Sequence, residues 1–206
     1  MFSKTFALAA VLAITGVTAV PFSGAQHQHL HRHQHQNIEA RDQDTYKIHV
    51  INECSETKHF GLFEITSDFQ MNSKSAATGV DPGKHATLKA DYKGIGLRLS
   101  ATANEGPAAQ WAPQSLAEFG YSGWSGVEGT AYDVSMMIGS DMSVGVKIEP
   151  LDNGNGSGNC AVKKCTLGNT PLDQCWTHPD QTADGSPADT VCYQGKTDFK
   201  VTFCPS

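Results

Sequence analysis

No apolar run in this 206-residue chain reaches the roughly 20 residues that a membrane-spanning helix needs, so no membrane insertion is expected. Basic residues are sparse: 15 Lys and Arg stand against 21 Asp and Glu, a formal charge of −6. The linear sequence has no cluster of Lys and Arg of the kind that displaces counterions from a phosphate backbone, which argues against a nucleic-acid binder. Acidity argues equally against unassisted adhesion to anionic lipid. Cys-x-x-Cys pairs are missing, and with them the spacing of a zinc knuckle. Helical periodicity is almost absent.

The present features begin with Lys4, an apolar run from Phe6 to Val17 and the small residues Val17-Thr18-Ala19, which together have the layout of a secretory signal. Residues 1–19 are expected to be removed, with Ser23-Gly24-Ala25 the second-choice cleavage site. That step takes Lys4 and no acid, so 14 basic residues face 21 acidic ones and the charge becomes −7. Six cysteines in a secreted chain fit three disulfides, and spacing alone leaves 15 pairings open.

Residues 20–42 form a polar, low-complexity stretch in which His27, His29, His31, His33 and His35 occupy every second position. Alternating imidazoles collect Cu(II), Ni(II) or Zn(II), yet such a segment has too little apolar surface to order itself. It is expected to be disordered, with no selected metal and no cofactor.

The folded region is expected at 43–206. Tyr46 to Asn52 alternates as a half-buried strand before Cys54, Lys58–Ile65 reads as a second strand, and Asp81-Pro82-Gly83 as a turn. His85 to Ala90 and Gly94 to Ala101 read as a pair of strands around Asp91 to Gly94. Asp133 to Ile138 and Met142 to Ile148 alternate around Gly139-Ser140-Asp141, the pattern of a hairpin. His49, His59, His85 and His178 are isolated, and Met136, Met137 and Met142 read as core filler. Asn155-Gly156-Ser157 is an N-glycosylation acceptor in a Gly-rich loop. The stretch from Cys160 on is loop-rich and leans on its cysteines, and Asp198 to Cys204 closes the chain with a final alternating strand. Short strands and frequent turns define an all-β sandwich.

The chemistry-bearing stretch is Leu116 to Ser135, where Glu118 and Asp133 flank Tyr121 and Trp124 in a weakly charged setting suited to ligand contact or acid/base work. Two carboxyl groups are the minimum for glycoside hydrolysis. Aromatic faces that stack on sugar rings, beside carboxylates that accept hydroxyl hydrogen bonds, suit binding instead.

Several fragments, taken in order, resemble the thaumatin-like proteins. Ile48-His49-Val50-Ile51-Asn52-Glu53-Cys54 is similar to that family's first strand and first cysteine. Leu116-Ala117-Glu118-Phe119 and Tyr132-Asp133-Val134-Ser135 are similar to its central segment. Cys160 and Cys165 match a further pair, and Phe199 to Ser206 its last strand. The resemblance implies a thaumatin-like β-sandwich with a reduced, disulfide-stapled loop region, similar to the compact secreted type of filamentous fungi. It implies the pairings Cys54 with Cys204, Cys160 with Cys192, and Cys165 with Cys175. Typical members carry more disulfides, a Gly-Asp-Cys signature and a larger second domain, all missing here. Larger relatives have an acidic cleft linked with β-1,3-glucan. Arg98, Glu118 and Asp133 match positions in it; a further Asp position falls near Ile138, with Asp141 the nearest candidate. The implied cleft is incomplete.

The resulting expectation is a secreted monomer, extracellular or wall-associated, that binds cell-wall polysaccharide of the β-1,3-glucan type through Arg98, Glu118, Tyr121, Trp124, Asp133 and Asp141 without strong catalysis. The alternatives are an adhesin with a host-surface protein as partner, and a weak β-1,3-glucanase using Glu118 and Asp133.

Overall fold

The computed structural model describes residues 45–68, 70–94, 96–137, 144–151, 157–158, 160–166, 168–178, 181, 191–193 and 195–206. The signal, the His27 to His35 tract, Asp141 and Asn155 lie outside the described residues. Fourteen strands are present among the described residues: β1 Thr45–Asn52, β2 Lys58–Ile65, β3 Met71–Ser73, β4 Thr78–Val80, β5 His85–Asp91, β6 Leu97–Ser100, β7 Leu116–Trp124, β8 Val127–Ser135, β9 Val146–Pro150, β10 Ser157–Gly158, β11 Lys163–Cys165, β12 Cys175–Trp176, β13 Val191–Tyr193 and β14 Phe199–Phe203. Two short 3-10 turns, Ala103–Glu105 and Pro107–Trp111, sit between β6 and β7.

The strands form two sheets. One has the order β11-β9-β14-β1-β5; the other runs β10-β13-β8-β7-β6-β2-β3, with β12 joining β8 and β4 joining β2. Alternation explains their packing, because successive side chains point to opposite faces. In β1, Tyr46, Ile48 and Val50 turn inward while Lys47, His49 and Ile51 turn outward. The inward rows of the two sheets meet in one core that includes Ile48, Val50, Phe60, Leu62, Leu99, Phe119, Phe199, Val201 and Phe203. At its centre Phe199 touches Tyr46, Phe119 and Tyr132, with ring centroids 5.8, 5.1 and 5.1 Å away, the tilted and edge-on geometries that aromatic quadrupoles favour. Burial, with the nearby charge of Asp91, pushes the Tyr46 phenol far above its ordinary range.

First and last strands pair in parallel, Ile48 opposite Phe199 through Asn52 opposite Phe203. Cys54–Cys204 then bridges their ends, Cys160–Cys192 ties the loop region to β13, and Cys165–Cys175 closes the turn between β11 and β12. Buried Gln181 braces that last region: its Nε2 donates to the Leu172 carbonyl at 2.8 Å, and its Oε1 accepts from the Thr177 backbone N–H at 2.8 Å.

The pair of strands expected around Asp91 to Gly94 is present but parts to two sheets, and the hairpin expected around Gly139 to Asp141 is corrected. β5 and β6 belong to different sheets, and so do β8 and β9. Turn residues signal a reversal without specifying whether the chain returns beside itself or crosses the core. The hairpin of the chemistry-bearing stretch joins β7 to β8, Leu116 opposite Ser135 through Trp124 opposite Val127. Its two-residue loop, Ser125 (φ 50°) and Gly126 (φ 84°), has positive φ at both positions, as the right-handed twist of the flanking strands requires.

The segment between β6 and β7 folds over the outer face of the nine-stranded sheet. Phe63, Met71 and Ala103 make a second small apolar cluster there, and it requires glycine at 61. A Cβ at Gly61 would lie 2.6 Å from the Ala103 Cβ. Gly61→Ala is expected to cost about 1–3 kcal/mol by overpacking, most of it recovered in Gly61→Ala/Ala103→Gly; urea melts of both variants check this.

Candidate functional site

Arg98, Glu118 and Asp133 occupy one row across three adjacent strands: Arg98 pairs with Glu118 in the β6–β7 register, and Glu118 with Asp133 in the β7–β8 register. Their neighbours along each strand, Leu97 and Leu99, Ala117 and Phe119, Tyr132 and Val134, belong to the central core. Strand periodicity therefore puts all three charged residues on the opposite, outer face.

That face is covered. Arg98, Glu118 and Asp133 retain only 8, 8 and 5% of their exposure. The Arg98 Nε donates to the Glu118 Oε1 at 2.7 Å, a charge-assisted bond of the short, strong kind. Above the guanidinium lies the Trp111 ring, its centroid 5.3 Å from the Arg98 Cζ, within cation–π range. The cover is pinned through Gln114: its Oε1 accepts from the Ser100 hydroxyl at 2.7 Å and its Nε2 donates to the Ala109 carbonyl at 3.2 Å. Trp111 itself is 45% exposed. It is thus a surface aromatic with a fixed position, stacked on a cation that is itself anchored.

Beside Glu118 and Asp133 lies a cavity of about 40 Å³, also lined by Ile65, Leu97, Phe119 and Ala131. This has room for about one water molecule and falls far below the roughly 300 Å³ at which ligand sites begin. The cross-strand register holds the two carboxyl-bearing residues on neighbouring positions, but the space beside them is too small for a sugar ring.

Tyr121 stands apart from the carboxylates. Three residues beyond Glu118 on the same strand, it turns to the other face of the sheet and packs against the central core. Tyr92 meets it edge-on at 5.4 Å and the Lys93 ammonium lies 5.3 Å from its ring. Burial, helped by its hydrogen bond to Glu128 and that residue's charge, pushes its hydroxyl up to about 12. Trp124 ends β7 at the hairpin tip, about 20 Å along the strand from Glu118 by strand rise. Tyr121 and the Glu118–Asp133 pair therefore do not converge on one ligand.

Two surface features escape a linear reading. Trp111 is the first; its signal is an aromatic set between Pro107 and Pro113 in a stretch with no strand pattern. The second is a concentration of lysines on the outer face of the five-stranded sheet, where Lys47, Lys89, Lys147, Lys164 and Lys200 come together. The linear sequence lacks a basic cluster, but the folded chain has one, because each of these lysines stands one step out of phase with an inward-facing neighbour. Among the described residues, no group of three or more His, Cys, Asp or Glu side chains is arranged to hold a metal ion.

Neither a family model nor a curated protein sequence matches the chain. Among solved structures it is similar to the protein elicitor MoHrip2 from Magnaporthe oryzae, at 19% identity and a TM-score of 0.44, over 78% of this chain and 99% of that one. It is also similar to the thaumatin-like xylanase inhibitor TLXI, at 15% identity and a TM-score of 0.44, over 77% of this chain and 99% of that one.

Proposed function

We propose that this is an extracellular, thaumatin-like binding protein that holds cell-wall polysaccharide of the β-1,3-glucan type against the Trp111 surface and does not hydrolyse it. The observation that carries the reading is the half-exposed Trp111 ring held over Arg98, which Glu118 anchors from below. An immobilised aromatic presents an apolar plane to the ring of a sugar without losing side-chain freedom on binding. Burial of Glu118 and Asp133 beside a cavity of about 40 Å³ speaks against the glucanase alternative, since glycosidase carboxyl groups must flank the scissile bond. Three disulfides suit an oxidising extracellular compartment.

Sedimentation with insoluble β-1,3-glucan tests the proposal. Trp111→Ala is expected to weaken binding roughly two- to tenfold, the range of a lost aromatic contact of about 0.5–1.5 kcal/mol. Tyr121→Phe, which keeps the ring and removes the hydroxyl bonded to Glu128, is expected to bind as the wild type does. Undiminished binding by Trp111→Ala would refute the assignment.

A further inference from the structure

We propose that the outer face of the five-stranded sheet is a second binding surface, for an acidic polysaccharide whose sugar rings carry carboxylate groups. The face is assembled by register. Lys89 lies opposite Lys47 between β5 and β1; His49 lies beside Lys200 between β1 and β14; Lys200 faces Glu149 between β14 and β9; Lys147 faces Lys164 between β9 and β11. With strands about 4.8 Å apart, and with Lys164 in register with Ile51 but Lys89 with Lys47, four residues away on β1, Lys89 and Lys164 lie about 23 Å from one another. Five lysines and two histidines, His49 and His85, thus share one surface with Glu149 and Asp198, with Glu53 just past the end of β1, and with Asp91 at the end of β5, whose carboxylate meets the Lys74 ammonium at 3.2 Å. In a chain of net charge −6 this is a segregation of charge, and a positive face on an acidic protein attracts a polyanion where the rest of the surface repels it.

One acid on the face, Glu149, holds two of its cations in place. Glu149 binds the Lys147 ammonium at 3.0 Å and the Lys200 ammonium at 2.8 Å. Its partial burial pushes its carboxyl up, but the hydrogen bonds from Lys200 and Lys147 prevail and hold it below the usual carboxylate range. Each ammonium has three donors, so this bridge leaves others for a ligand. Asp198 is occupied by the backbone N–H of Lys47 at 2.7 Å.

A depression of about 460 Å³ lies within the face, lined by His49, Ile51, Gly83, His85, Leu151 and Lys200. The volume falls in the range of small-ligand sites. Ile51 and the exposed Leu151 offer apolar surface, while Lys200 and the two imidazoles offer polar groups at its margin. The combination matches a pyranose ring with an apolar face and a charged substituent. Nucleic acid is a poorer match, because the outward strand residues here include no arginine to fork onto phosphates and no Phe, Tyr or Trp to stack on bases. Lipid is poorer too, since the apolar residues line a concavity rather than crown a projecting segment.

Binding of the full, disulfide-intact protein to polygalacturonate, a linear uronic acid polymer, is the test, with neutral laminarin, phosphatidylserine vesicles and duplex DNA run in parallel. Lys47→Gln/Lys89→Gln/Lys200→Gln is expected to bind polygalacturonate at least about tenfold more weakly while keeping its thermal midpoint and its binding to insoluble β-1,3-glucan. Wild-type binding is expected to collapse between about 0.1 M and 1 M salt, as the screening length falls from about 10 Å to about 3 Å. Trp111→Ala is expected to leave polygalacturonate binding unchanged, which separates this surface from the glucan site. Absence of polygalacturonate binding, equal binding by the triple variant, or tighter binding to the vesicles or the DNA would overturn the proposal.

Discussion

Replacing Cys54 and Cys204 together by serine is expected to remove about 5 kcal/mol of stability, against about 3 kcal/mol for Cys165→Ser/Cys175→Ser. The difference comes from the unfolded chain. The first bridge spans 150 residues and the second 10, and the entropy that a cross-link removes from the unfolded ensemble grows with the logarithm of the loop. The location of the first bridge adds to its weight. It joins the ends of β1 and β14, the parallel pair inside the five-stranded sheet, whose inward residues Ile48, Val50, Phe199 and Val201 are fully buried. A loss of about 5 kcal/mol is comparable with the whole stability of many domains, so the Cys54/Cys204 variant is expected to be largely unfolded at moderate denaturant while the Cys165/Cys175 variant still melts cooperatively. Denaturant melts of the two variants under identical conditions make the comparison; equal losses would contradict it.

Glu118→Ala is expected to cost about 3–5 kcal/mol, because it leaves the Arg98 guanidinium buried without its counter-charge. Arg98 and Glu118 are both more than nine-tenths buried and joined at 2.7 Å, so neither can turn to water for compensation. Replacing both at once, Arg98→Met/Glu118→Leu, is expected to be much milder, since an apolar pair of similar volume removes the desolvation cost together with the attraction. The strong non-additivity in a double-mutant cycle is the signature. A solvent-open catalytic carboxylate would behave otherwise, with Glu118→Ala costing no more than about 1 kcal/mol, the value of an exposed pair. The cycle thus tests whether the Arg98–Glu118–Asp133 row supports the sheet and the Trp111 cover or serves an open cleft.

Much of the sandwich is legible in the chain because one face of most strands meets the core and the other meets water or a thin cover. Lys58–Ile65 is a strand with the bounds its pattern suggests; the alternation of Tyr46 to Asn52 survives in β1, and β14 keeps it from Phe199 to Val201 but buries Thr202 as well. Connectivity is less legible. Asp91 to Gly94 marks a reversal, yet β5 and β6 part to separate sheets, since local turn chemistry carries no information on which partner strand lies alongside. In the candidate site, Glu118 and Asp133 are adjacent because β7 and β8 form a hairpin around Ser125 and Gly126, whereas the odd spacing from Glu118 to Tyr121 already sends that ring to the other face. Trp111 and the five-lysine face depend on long-range register and on a cover segment without periodicity, neither of which a local pattern contains.

Binding of β-1,3-glucan at the Trp111 surface without cleavage, as proposed above, can be tested in one experiment. The most direct measurement is calorimetric titration of a soluble β-1,3-glucan oligosaccharide into wild type and Trp111→Ala, with sugar release assayed on the same samples. Saturable wild-type binding is expected, weakened roughly two- to tenfold by Trp111→Ala at an unchanged thermal midpoint, with no sugar released by either protein. Binding indifferent to Trp111, or sugar release by the wild type, would contradict the proposal.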